Sequence, residues 1–286
     1  MLTVAAPAKL NLTLEVLGKR PDGYHEIRSV IQTISLCDTL RFELSVDVKI
    51  SSNLSEWSAG KSLVAKAVDL LQKTTSAAKV VKIEVTKNIP LVAGLGGDSS
   101  NAAATLRGLN ELWGLELDGD ELAELATQLG SDVPFFLYGG TALMAGRGDI
   151  ITPLPPLPHH YFVLVPPDIP PLPDKTKRLY ASLKSGHYTK GEATEKLIGA
   201  LGGGGGFDSS LLFNVFENVA FDVFKGLADY RDLMSRAGAG NVHLAGSGPT
   251  LYTMAETEAE ADGILEKLKR VGVKSHLAET LAAERV

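Results

Sequence analysis

Between Pro90 and Ala104 the chain reads P-L-V-A-G-L-G-G-D-S-S-N-A-A-A, and this segment constrains fold and function more than any other. A strand-like run from Val80 to Thr86, with Val81, Ile83 and Val85 alternating, leads into it. A helical run leads out, with Ala102, Leu106, Leu109 and Trp113 on one face. Between them stand Gly94, Gly96 and Gly97, then Ser99 and Ser100. Glycines let a backbone turn its N–H groups inward and approach a ligand closely. Serines cap helices, and a helix N-terminus carries partial positive charge with unpaired N–H donors. Local physics leaves two readings open: a serine-capped turn from strand to helix, or a phosphate cradle.

The segment is not a Walker A loop, because no Gly-Lys-Ser/Thr ends it, and it lacks the G-x-G-x-x-G spacing of a dinucleotide fingerprint. The chain has 286 residues, 44% of them hydrophobic and 22% charged, as in a globular protein of one large or two ordinary domains. A net charge of −6 without a basic block argues against a nucleic-acid partner. No apolar run reaches about 18 residues, so no membrane span is expected. Met1 to Val4 lack the layout of a signal peptide, and Cys37 is the lone cysteine, which fits a reducing, cytoplasmic setting. The six histidines show no metal-ligand spacing, and His159-His160 reads as a loop pair.

Along the chain, Leu10, Leu12, Leu14 and Val16 keep period two, as do Leu40, Phe42, Leu44, Val46, Val48 and Ile50. Helices are expected over 62–73, 120–129, 209–224 and 258–270, and strands over 161–165, 242–245, 250–254 and 273–277. Gly130 stops the second helix, and Ser131-Asp132-Val133-Pro134 breaks the chain after it. The proline-rich stretch 152–158 divides an N-terminal domain, 1–152, from a C-terminal domain, 153–286. The order of elements gives an α+β class, with an antiparallel sheet backed by helices in the second half. The run Gly202 to Gly206, which no strand feeds, reads as a mobile surface loop.

Two side chains stand out as reactive candidates. Lys9 sits among alternating apolar residues, an awkward place for an ammonium without a partner, and Asn11 shares its face. A cleft wall and a solvent-facing strand edge both fit that pattern. Asp132 lies ahead of Pro134 in the break between helices, where it can cap a helix or project into a cleft.

Near the start stands Pro7-Ala8-Lys9-Leu10-Asn11-Leu12, and near the end Leu244-Ala245-Gly246-Ser247-Gly248-Pro249-Thr250. With the segment at 90–104, these three motifs occur in the order found in the GHMP kinases, which the chain resembles over nearly its whole length. The resemblance implies a two-domain fold, with a ribosomal-S5-domain-2-like N-terminal domain and a ferredoxin-like C-terminal one, and an active site in the cleft between them. It implies ATP and Mg²⁺, with the phosphates wrapped by Pro90, Gly94, Leu95, Gly96, Gly97, Asp98, Ser99, Ser100 and Asn101. Lys87 resembles a residue beside the adenosine, and Gly246, Ser247 and Gly248 a turn near the cleft.

Arg20-Pro21-Asp22-Gly23-Tyr24-His25 looks like a branch of the family that acts on a cytidylyl-linked polyol in isoprenoid synthesis. For that branch Lys9 and Asp132 are the catalytic pair and Asn11 lies beside the polyol. Tyr24 and His25 meet cytosine, with Tyr180 closing the stack from the other side. The chain departs from the family at Asp98, usually a small residue, at Asn101, where Asp is common, and at Ser62, usually Asn near the adenine pocket. Metal ligands are not assigned. A GHMP kinase of mevalonate, homoserine or a sugar would need no aromatic pair for cytosine, and a non-catalytic relative would be expected to have lost Lys9 and Asp132, which are both present. A monomer or weak homodimer is expected, since no long apolar stripe is left over.

Overall fold

The computed structural model describes residues 1–75, 79–203 and 207–283. The chain opens with three strands, β1 (Leu2–Asn11), β2 (Thr13–Lys19) and the long β3 (His25–Leu44), then β4 (Lys49–Ser52). Next come α1 (Leu63–Thr75), β5 (Val81–Thr86), α2 (Gly97–Trp113), α3 (Gly119–Leu129) and the short α4 (Phe135–Tyr138). Strands β6 (Thr141–Gly146), β7 (Ile150–Pro153) and β8 (Tyr161–Val165) follow, then α5 (Lys175–Ser182), α6 (Glu192–Gly203), β9 (Phe213–Asn214) and α7 (Glu217–Val223). The chain closes with α8 (Leu227–Ala237), β10 (His243–Leu244), β11 (Leu251–Ala255), α9 (Glu258–Arg270) and β12 (His276–Glu279).

β3 organises the first sheet. It pairs antiparallel with β1, β2, β5 and β6 along successive stretches, and β4, β7 and β9 extend the sheet. Its twenty residues let one strand serve four neighbours. The second sheet, β10-β11-β8-β12, is antiparallel throughout. Helices α1 and α2 pack on each other, and α2 also covers β1 and β3. On α2, Ala102, Leu106, Leu109 and Trp113 are buried, as the spacing predicts. Burying each of the larger side chains contributes roughly 1.5–3 kcal/mol, against about 1 kcal/mol for a cap, so this face and not its N-terminus holds α2 in register.

Three sequence expectations are corrected. The apolar spacing over 209–224 does not form one helix. β9 pairs parallel with β2 through Thr13↔Phe213 and Leu14↔Asn214, a 3₁₀ turn covers Ser209–Leu211, and the α-helical part is α7 alone. Sheet burial of Leu212 and Val215 mimics a helical stripe. The alternation from Leu40 to Ile50 breaks where β3 ends, leaving Leu44, Val46 and Val48 exposed at 66%, 95% and 43%. The last strand lies at His276–Glu279 rather than 273–277, because Val271 and Gly272 are still taken up in the turn that closes α9. Gly202 and Gly203 end α6, and the rest of the glycine run lies outside the described residues.

One buried bond ties the second half of the chain to β1, and two more tie the β10–β11 turn to β9, the strand paired with β2. Tyr252 Oη donates to Asn11 O at 2.9 Å. Asn214 Nδ2 donates to Leu244 O at 2.7 Å and to Gly246 O at 2.8 Å. The turn between β10 and β11 is thereby seated beside Lys9 and Asn11.

Candidate active site

The phosphate segment is framed by a buried carboxylate that sequence reasoning missed. Asp38 Oδ1 accepts the backbone N–H groups of Asn88 and Ile89 at 2.7 and 2.8 Å. Its Oδ2 accepts from Asn101 Nδ2 at 2.9 Å and from the Lys87 ammonium. Lys87 Nζ also donates to Asn101 Oδ1 at 2.9 Å. The two ends of the segment are thus clamped on one carboxylate. Lys87 gives its charge to this clamp while its side chain also borders the phosphate pocket. The available signal is a carboxylate between apolar residues of a strand run, in Leu36-Cys37-Asp38-Thr39-Leu40.

Asn101 has a physical reason to be an amide here: it donates to Asp38 and accepts from Lys87, whereas a carboxylate would face Asp38 without a donor. Asp98 is 55% exposed and borders the phosphate pocket, with one oxygen 3.8 Å from Lys87 Nζ. Ser62 caps α1, its Oγ accepting from Ala65 N at 3.2 Å.

The serines do not cap α2. Gly96 is its N-cap, at φ +74°, and Ser99 and Ser100 fall in the first turn. The N–H groups of Gly97, Asp98 and Ser99 have no intrahelical partners, as at any helix start, whereas Ser100 N–H already donates to Gly96 O at 2.9 Å. Ser100 Oγ is buried and has no hydrogen-bond partner. Two glycines interlock the segment with the β10–β11 turn. A Cβ on Gly94, at φ +87°, would lie 2.1 Å from Ala245 O. A Cβ on Gly246, at φ +54°, would lie 2.9 Å from both Gly94 O and Lys9 Nζ. Only residues without side chains allow that approach.

Lys9 is buried on β1, and its N–H donates to Leu95 O at 2.9 Å, which ties the strand to the phosphate segment. Its Nζ donates to Asn11 Oδ1 at 2.5 Å and lies 4.0 Å from Asp132 Oδ2. Burial lowers the Lys9 pKa from its usual value, and the Asp132 charge opposes that shift. Asn11 is itself held by Ser29, through Nδ2 to Oγ at 2.8 Å. Asp132 lies between α3 and α4 and is 37% exposed. Its carboxylate caps no helix and projects into the cleft.

That cleft, about 1350 Å³, runs from Gly94, Gly96 and Ser99 past Lys9 and Asp132 to an aromatic end. There the His25 ring stacks on Tyr180 at 4.6 Å between centroids and 17° between planes. Tyr180 meets Phe216 edge-on, and Tyr188 meets His25 edge-on. Burial and the Lys19 charge lower the His25 pKa, and burial pushes Tyr180 up to about 12, so both rings are uncharged at pH 7. Tyr24 is 58% exposed, with the Arg147 guanidinium 5.0 Å from its ring centre. Tyr24, His25 and Tyr180 therefore meet in one cleft, with His25 and not Tyr24 as the ring partner of Tyr180. Ser29, Arg147, Lys175 and Tyr188 were not legible as site residues, because no motif surrounds them.

A glycine cradle at a helix start, a lysine–aspartate pair and an acceptor cleft in line define a small-molecule kinase of the GHMP type. Residues 62–140 match the GHMP kinases N terminal domain and residues 195–274 the GHMP kinases C terminal family. A relative from Dehalococcoides mccartyi named 4-diphosphocytidyl-2-C-methyl-D-erythritol kinase is 48% identical over 281 residues, 98% of this chain and 99% of its own. One of the same name from Geobacillus kaustophilus is 40% identical over 273 residues, 94% of this chain and 93% of its own. A crystal structure of 4-(cytidine 5'-diphospho)-2C-methyl-D-erythritol kinase superposes with a TM-score of 0.83 at 32% identity, covering 98% of this chain and 99% of that one. The chain belongs to the 4-diphosphocytidyl-2-C-methyl-D-erythritol kinase family of the GHMP kinases. A homoserine kinase from Cytophaga hutchinsonii, at 18% identity and a TM-score of 0.75, shares the fold. No helix among the described residues is long and apolar enough to cross a membrane.

Proposed function

We infer that the chain transfers the γ-phosphoryl group of ATP to the 2-hydroxyl of 4-diphosphocytidyl-2-C-methyl-D-erythritol, giving the 2-phosphate and ADP. The observation that carries this reading is the Lys9–Asp132 pair, 4.0 Å apart, midway between the phosphate segment and the aromatic end of one cleft. Phosphoryl transfer asks a protein for positioning and for cancellation of negative charge. Asp132 accepts or orients the acceptor hydroxyl proton while that oxygen bonds to Pγ and the bond from Pγ to the bridging oxygen of ADP breaks. Lys9 holds the carboxylate and the charge that builds on the transferred group, and Asn11 fixes Lys9 beside the polyol.

Gly94 to Ser99 would receive the triphosphate on backbone N–H groups. Cytosine would share the aromatic end, with His25 passing from ring partner of Tyr180 to partner of the base's polar edge, and Tyr24 covering the base. Mg²⁺ favours oxygen donors and keeps few protein ligands beside phosphate. Ser100 Oγ, buried without a partner, and the nearby Asp98 carboxylate fit that donor set and would hold it. When bound, the ion neutralises charge on the β- and γ-phosphates.

Apart from β9 and the last residue of β7, the two sheets fall on either side of residue 152, which supports two domains at 1–152 and 153–286. A monomer or weak homodimer in a reducing compartment completes the reading, supported by the single cysteine.

A coupled ADP-release assay with MgATP and the cytidylyl alcohol tests it, with mevalonate and homoserine in parallel. ADP release that needs the cytidylyl alcohol alone is expected. Turnover of another alcohol, or silence from folded protein that binds ATP, would overturn the substrate assignment.

A further inference from the structure

Lys175 opens α5 just after the proline-rich connection Asp168 to Pro173, and neither the motifs nor the roles above use it. Its side chain reaches across to the β10–β11 turn. Nζ donates to Gly248 O and lies 3.3 Å from Ser247 Oγ and 3.4 Å from Ser247 O. Thr176 Oγ1 shares a bond with Ser247 Oγ at 2.9 Å, so two neighbours in sequence grip one turn.

The position is electrostatically odd. All the acceptors of Lys175 are uncharged, and among the described residues no carboxylate pairs with it. It stands at a helix N-terminus, where a cation is disfavoured. Lys9 is close enough to repel it, and burial with that repulsion brings its pKa down to about 8. A buried and a half-buried ammonium group, of which only Lys9 has a carboxylate within 4.0 Å, leave a local excess of positive charge. An anion would relieve it.

The shape of the site says which anion. The phosphate segment encloses a pocket of about 150 Å³, continuous with the large acceptor cleft. Among the residues that line both spaces, Val92, Gly94, Gly96, Ser99 and Lys175, only Lys175 carries a charge. A group handed from one space to the other passes that ammonium.

We propose that Lys175 is a second catalytic cation: it leaves the carbonyl of Gly248 to contact the γ-phosphoryl oxygens as that group moves from ADP to the acceptor hydroxyl. The proposal rests on the phosphoryl-transfer reading above. It adds no bond change of its own. The acceptor oxygen still bonds to Pγ, ADP still leaves, and the hydroxyl proton still goes toward Asp132. Lys175 keeps its proton throughout and supplies charge and hydrogen bonds to the equatorial oxygens, as electrostatic stabilisation requires.

The test compares wild type with Lys175→Gln and Lys175→Arg. Gln keeps an N–H donor for the turn without the charge, and Arg keeps the charge. Removing one such donor lowers kcat by about 100-fold or more, and K175Q is expected to show that loss with an unchanged melting temperature. Calorimetry without acceptor is expected to show ATP affinity reduced about tenfold in K175Q and ADP affinity unchanged, because ADP lacks the group that Lys175 meets. The alkaline limb of kcat/KM reports the free enzyme. The charged and titratable groups around Lys175 are Lys9 on β1, Asp132 before α4, Lys87 ahead of the phosphate segment and Asp98 within it, Asp174 just before its own helix, and Lys177 and Tyr180 on that helix. Wild type is expected to lose kcat/KM as pH rises through about 8, and K175R to hold it to higher pH. Wild-type kcat in K175Q, or equal losses of ATP and ADP affinity, would overturn the proposal. If wild type ignores the cytidylyl alcohol while K175Q still loses ATP affinity selectively, the acceptor reading fails and Lys175 stands.

Discussion

Lys9 lies 4.0 Å from Asp132, yet its short hydrogen bond goes to Asn11 at 2.5 Å. The ammonium is therefore aimed by a neutral amide and leaves the carboxylate free to turn toward an incoming hydroxyl. An exposed face on Asp132 and a buried Lys9 divide the labour: one moves, the other is fixed.

Asp132→Ala is expected to cut kcat by roughly 10²–10⁴, the range for a positioned proton acceptor. Half-exposed and outside any helix cap, Asp132 holds little of the fold, so thermal unfolding should match wild type. Near-normal kcat in this variant would refute the role.

Asp38→Ala leaves Lys87 charged and buried and frees two backbone N–H groups. Breaking a buried pair this way costs about 3–5 kcal/mol. Urea unfolding should show that loss, and ATP binding should weaken with it. A small change in midpoint would mean that the clamp relaxes into water.

Gly94→Ala sets a Cβ 2.1 Å from Ala245 O at a backbone angle that alanine disfavours. The phosphate segment and the β10–β11 turn must then part. KM for ATP is expected to rise at least tenfold with a lower melting temperature, and equal ATP kinetics would show that the interlock is dispensable.

His25 has a folded pKa below its unfolded value. Between the two, the unfolded chain binds more protons, so its contribution to stability is present above about 6.5 and is lost as pH falls through the lowered value. Binding of the cytidylyl group should follow the same sign. KM for that substrate is expected to be flat near neutrality and to climb in acid, and His25→Asn should flatten the climb.

The phosphate segment was legible because glycine and serine at a strand-to-helix junction have few other uses. Lys9 and Asn11 were legible as two polar residues on one face of an apolar strand. The aromatic end came through the resemblance alone: Tyr180 is separated from His25 by most of the first domain and reads locally as a helix core face. Periodicity misled at Leu44, Val46 and Val48, because alternation says which faces match but not where the neighbouring strand stops. It misled again at 209–224, where two residues of β9 carry the contact that sixteen residues of helix were expected to make. Asp38 and Lys175 escaped for one reason: each acts on a segment remote in sequence, and a single side chain carries no periodic trace.

Gly94 rests against backbone supplied by residues 245 and 248. During synthesis the phosphate motif therefore leaves the ribosome long before the wall that shapes it. A partly made chain holds the nucleotide signature without a nucleotide pocket, and binding switches on only when the final stretch has folded back. Nascent copies would then draw no ATP from the cell until they are nearly complete.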